Sequence, residues 1–142
     1  ARTNQHLADV PTETRLDVAQ EAYGRTLARA AAAGVGVLVI RDTPAFPSSV
    51  PDCVAAAPDQ DCTVPREVGL ERDPLAQAAA ADRSGRVGLL DLTDLLCDDR
   101  VCHGVIGGTI TMFDHGHLTA TFATTLRPVL EPALDAALAR AG

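Results

Sequence analysis

The chain has 142 residues, 46% of them hydrophobic, with no Trp, one Tyr, three Phe and a formal charge of −7. That is enough for one domain with a core of Val, Leu, Ile and Ala. The acidic balance argues against nucleic acid, which is bound by neutralising phosphates with Lys and Arg, and no stretch reaches the roughly 18 apolar residues of a membrane span.

The opening Ala1-Arg2-Thr3-Asn4-Gln5-His6 shows neither an initiator Met nor a signal-peptide pattern. This start is expected of a processed chain or of a piece of a longer one. Residues 1–13 read as a linker or frayed start to a single domain spanning 1–142. From Thr14 to Ala33, Leu16, Ala19, Ala22 or Tyr23, Leu27 and Ala30 recur at helical spacing. Asp17 and Glu21 lie early and Arg25 and Arg29 late, as the helix dipole favours, and Gly34 is the stop. Val35-Gly36-Val37-Leu38-Val39-Ile40 then reads as a strand buried on both faces, the pattern of parallel sheets. Arg41-Asp42-Thr43-Pro44 falls at that strand's carboxyl end, where open α/β sheets place ligands. Asp42 and Thr43 are therefore candidate substrate-binding residues, a polar strand terminus with a Pro turn being the plain alternative.

Phe46 to Arg72 is a Pro-rich excursion that a Cys53–Cys62 bridge would staple. Asp73-Pro74 caps and starts a short Ala-rich helix to Asp82, which Ser84-Gly85 ends. Val87-Gly88-Leu89-Leu90-Asp91-Leu92 is a second buried-type strand. The repeat of helix, Gly and strand predicts an α/β domain with a parallel sheet. Two such strands are fewer than the five or so of a usual sheet. The remaining strands are expected outside this chain, a small α+β unit being the other option.

Cys97 and Cys102 form a second close pair. Cysteines in Asp- and Pro-rich loops favour disulfides and an oxidising compartment. The competing reading is zinc, with ligands drawn from Cys97, Cys102, His103, His115 and His117, although neither spacing is a CxxC knuckle. Val105 to Phe113 reads as an extended segment broken by Gly107-Gly108. It leads into Met112-Phe113-Asp114-His115-Gly116-His117-Leu118-Thr119. An aspartate on a turn just before a histidine can fix one tautomer of the ring and stabilise its protonated form. The plain alternative is a solvated loop before a helix. His115 reads as a bystander directed away from His117, and His103 as serving its own loop. From Leu118 an apolar face through Phe122, Leu126, Val129 or Leu130, Leu134 and Leu138 predicts a terminal helix covering a sheet face, broken or kinked at Pro128 and Pro132.

The ordered series Arg41-Asp42-Thr43-Pro44, Val50-Pro51-Asp52-Cys53, Cys62-x-x-Pro65-Arg66, Val87 to Asp94, Cys97 to Cys102, Val105-Ile106-Gly107-Gly108 and Asp114-x-x-His117-Leu118-Thr119 resembles a known domain. This is the extracytoplasmic SGNH domain at the C-terminus of many bacterial acyltransferase-3 membrane proteins. The resemblance implies a flavodoxin-like three-layer α/β/α sandwich with a parallel sheet, here without its N-terminal strands. It further implies a Ser-His-Asp site in which Asp114 is the acid and His117 the base, needing neither cofactor nor metal. The implied reaction passes an acyl group, expected to be acetyl, to a hydroxyl of an envelope glycan or glycolipid. The domain would lie outside the cytoplasm, tethered to an acyltransferase-3 transmembrane domain. The family's Gly-Asp-Ser nucleophile matches no stretch here, where the serines are Ser48, Ser49 and Ser84. The chain alone is thus expected to be inactive, its serine coming from an upstream segment. A non-catalytic glycan- or partner-binding module is the alternative, and a zinc-binding module the third.

Overall fold

The computed structural model describes residues 10–57 and 62–141. The helices are α1 (Thr12–Ala32), α2 (Val50–Ala56), α3 (Arg66–Gly69), α4 (Pro74–Ala81), α5 (Thr93–Leu96), α6 (Ala120–Thr125) and α7 (Arg127–Arg140). The strands are β1 (Val37–Ile40), β2 (Thr63–Pro65), β3 (Val87–Leu90), β4 (Val101–His103), β5 (Val105–Ile106) and β6 (Thr109–Ile110). Two compact units result, one of residues 1–40, 72–90 and 133–142, the other of 41–71 and 91–132. Residues 1–9 of the expected linker lie outside the described residues.

In the first unit, α1 carries Glu13 in its first turn and Arg29 in its last, matching the dipole. Gly34 takes φ 78°, a left-handed conformation costly for residues with a Cβ, and the Val35 N–H reaches back to the Ala30 carbonyl at 3.0 Å. The chain then enters β1, which pairs in parallel with β3 in the register Val37↔Val87 to Ile40↔Leu90. Val39 buries against Leu27, Ala78 and Ala79, with Val37, Leu75 and Val87 packed around them. Asp73 caps α4 by accepting the N–H groups of Leu75 and Ala76, both at 2.9 Å. Arg72 binds Glu13, Asp17 and Gln20 of α1 and Gln77 of α4, at 2.7–3.0 Å. The parallel pair and its helices are compatible with the α/β class that the sequence pattern predicts.

The terminal helix departs from expectation. Leu134 and Leu138 are 52% and 64% exposed, whereas Ala137 is buried. The reason is the close approach at Gly36, where an added Cβ would lie 2.1 Å from the Ala137 carbonyl oxygen. A small-residue face fits that approach, so the Leu stripe is turned outward. The chain breaks between α6 and α7 at Leu126, and Pro128 sits in the first turn of α7, where its missing N–H costs nothing. The helix continues through Pro132 instead of ending there.

In the second unit, the Pro-rich excursion contains α2, β2 and α3. Pro51 is tolerated because it falls at the start of α2. β2 pairs antiparallel with β4 (Val64↔Cys102), and β5 with β6 through Gly107 and Gly108 at φ 57° and 77°. Two positive-φ residues suit a tight hairpin turn. Both cysteine pairs are bonded, Cys53–Cys62 and Cys97–Cys102.

Gly36→Ala should lower Tm, because overpacking against the Ala137 backbone costs about 1–3 kcal/mol. Gly24→Ala, inside α1 with nothing within 4 Å of the added Cβ, should raise it. Paired thermal melts check both signs. Removing the Cys53–Cys62 crosslink, nine residues apart, should cost about 2–3 kcal/mol from the freed unfolded chain, read as a lower urea midpoint.

Candidate active site

Residues 112–118 form a loop anchored at both ends. Met112 is fully buried and bridges Leu118, and the Phe113 N–H donates to the His117 carbonyl at 2.8 Å. On one side Thr111, also fully buried, donates its hydroxyl to the carbonyls of His103 and Gly104, both at 3.0 Å. On the other side Thr119 caps α6, its Oγ1 accepting the Phe122 N–H at 3.1 Å and donating to the Ile110 carbonyl at 2.7 Å.

Inside the loop Asp114 does two jobs. Its Oδ1 accepts the N–H groups of Gly116 and His117, both at 2.9 Å, the local closure that favours Asp at turns. Its Oδ2 lies 2.8 Å from His117 Nδ1. The Gly116 and His117 N–H groups, and then the imidazole, hold the Asp114 carboxyl down at about 2. The ionised carboxylate therefore accepts the Nδ1–H hydrogen bond, which leaves Nε2 as the accepting nitrogen. The His117 side chain is 78% exposed, that of Asp114 34%. The ring of Phe113 stacks on the imidazole at 5.6 Å between centroids and 23° between planes.

Three further carbonyls of the loop are taken by the segment from Thr43 to Val50. The Val50 N–H donates to Asp114 O at 3.2 Å, the Phe46 N–H to His115 O at 2.7 Å, and Thr43 Oγ1 to Gly116 O. His115 Nδ1 also meets Phe46 O at 3.1 Å. The His115 ring thus helps dock the loop. Thr43 reaches the backbone of Gly116, the residue before His117, and its hydroxyl is engaged there. Asp42 Oδ1 accepts the Thr43 N–H at 2.9 Å. Ser48 and Ser49 lie on the same segment, and among the described residues no serine hydroxyl is hydrogen-bonded to His117.

A second aspartate–histidine pair was not singled out by the sequence. Asp98 Oδ1 accepts the N–H groups of Arg100 and Val101 at 2.7 and 2.8 Å, and its Oδ2 lies 3.1 Å from His103 Nε2. The Val101 and Arg100 N–H groups hold this carboxyl below its ordinary value. The zinc reading loses its thiolates, since Cys97 and Cys102 are bonded to each other. No group of three or more potential ligands gathers among the described residues.

An α/β domain with a loop-borne Asp–His pair has the parts of an acid–base site. The model of the family described as "SGNH domain (fused to AT3 domains)" matches residues 1–132, and the chain belongs to this family. That membership gives an acyltransferase-related setting, hydrolase or transferase in type. No curated protein and no solved structure matches the chain.

The lowered Asp114 carboxyl predicts a pH dependence. A carboxyl held below its unfolded value of 3.8 contributes stability that is complete above that value and lost as pH falls towards about 2. Urea midpoints between pH 5 and 2.5 should fall less steeply in Asp114→Asn than in the parent chain.

Proposed function

We propose that this chain is the acid–base part of an O-acyltransferase domain of SGNH type. In this reading a serine from outside residues 1–142 attacks the acyl donor. His117 takes its proton at Nε2, and the leaving group departs with that proton. The acyl-serine is then attacked by a hydroxyl of an envelope glycan or glycolipid, with His117 again receiving the proton and returning it to the serine oxygen. Asp114 holds the ring by Nδ1 and stabilises the imidazolium formed in each half. The observation that carries the reading is the 2.8 Å contact between Asp114 Oδ2 and His117 Nδ1, with Nε2 left to face a substrate. Acetyl is the expected acyl group, and Asp42 and Thr43 are proposed to border the acceptor.

The same reading puts the domain outside the cytoplasm beside an acyltransferase-3 transmembrane domain, supported by the two disulfides. It takes the complete domain to be a three-layer sandwich over one parallel sheet, with 1–142 as one portion of it. Among the described residues no helix is long and apolar enough to cross a membrane. A second reading, a glycan- or partner-binding domain without turnover, draws on the fact that no described serine hydroxyl bonds to His117.

The test is fluorophosphonate labelling of the full-length protein. The transferase reading expects one serine labelled, with labelling and acyl transfer reduced about 10³–10⁴-fold in His117→Ala and Asp114→Asn. A full-length protein that takes no label, yet binds glycan equally with and without His117, would leave the binding reading in its place.

A further inference from the structure

Phe113 is the odd member of the three phenylalanines. Phe46 and Phe122 are 7% and 5% exposed, whereas Phe113 is 59% exposed and contributes little to a core. Its placement is nevertheless specific. Its N–H is tied to the His117 carbonyl at 2.8 Å, and its ring lies over the imidazole at 5.6 Å and 23°. Asp114 grips the imidazole at one point, Nδ1, at 2.8 Å. A single hydrogen bond fixes an edge of a ring but leaves the plane free to swing about it. A flat apolar surface on one face removes that freedom, and it does so without offering Nε2 a competing partner. A near-parallel aromatic face also favours the imidazolium that forms when Nε2 takes a proton.

The geometry points to Phe113 as a positioning residue for His117, setting the plane of the imidazole so that Nε2 faces the reacting hydroxyl. This rests on the acid–base reading of Asp114 and His117 given above, and it adds a residue that neither the motif nor the triad chemistry names. The stack acts through His117, so Phe113 itself exchanges no proton.

The experiment is nuclear magnetic resonance on the full-length protein with labelled histidine, comparing the parent with Phe113→Ala and Phe113→Tyr. Ring relaxation at His117 reports its order, and the Nδ1 and Nε2 shifts report its tautomer. The parent ring should show an order parameter near the rigid-backbone value of about 0.85, falling below about 0.6 in Phe113→Ala and returning in Phe113→Tyr. The amide protection of Gly116 and His117, which reports the Asp114 turn, should be the same in all three. An unchanged His117 ring in Phe113→Ala overturns the proposal. So does a loosened ring accompanied by lost protection at Gly116 and His117, since Phe113 would then merely hold the loop together. These readouts need no turnover. If His117 loosens as expected while acyl transfer by the full-length protein ignores His117→Ala, the catalytic reading fails and the positioning stands.

Discussion

A loop that holds a carboxylate against an imidazole must keep its own backbone still, because the contact between two such side chains follows wherever their backbone moves. Loop carbonyls usually find water, and water fixes nothing. Here the carbonyls of residues 114, 115 and 116 go to Val50 N, Phe46 N and Thr43 Oγ1, and that of 117 to Phe113 N. Met112 and Thr111, buried beneath the loop, and Thr119 at the helix that follows complete the frame. The side-chain geometry at Asp114 and His117 depends on this backbone docking more than on their own contact, a single hydrogen bond to a largely exposed ring.

The two aspartate–histidine pairs show how one local device serves different ends. In both, a carboxylate accepts the N–H groups two and three residues ahead and keeps its second oxygen for an imidazole. At Asp114 the histidine is met through Nδ1 and left 78% exposed at its side chain, an arrangement open to a substrate. At Asp98 the histidine belongs to β4, is met through Nε2, and closes a hairpin that the Cys97–Cys102 bond already staples. The turn itself is structural; what differs is which nitrogen remains and what it faces.

Much of this was legible in the sequence where the signal is local. The helix, Gly and strand repeat located α1 with β1 and α4 with β3, because an unbroken aliphatic run favours a strand. The burial expected on both faces is not found, since only Val39 of the two strands is buried while Ile40 and Leu89 are 45% and 39% exposed. The Asp-x-x-His spacing exposed the pair itself, since a turn brings those two side chains together. Signals carried by distant backbone were invisible. His115 meets Phe46, and Thr43 meets Gly116, across 69 and 73 residues, through a carbonyl that any residue type supplies. The short α2 hid behind Pro47 and Pro51, which read as loop. The outward turn of Leu134 and Leu138 followed from a backbone approach at Gly36, which hydrophobic periodicity does not encode.

The Cys53–Cys62 bond lies within this account at one remove. Cys53 sits one turn along the helix whose first residue, Val50, supplies the N–H on the Asp114 carbonyl. The crosslink ties that helix to Cys62, next to the buried edge strand at Val64. A thiol reductant added during purification would slacken α2 at its tether and so loosen the platform under the acid, without touching either member of the pair. The chemistry of the buffer thus becomes part of the geometry of the site.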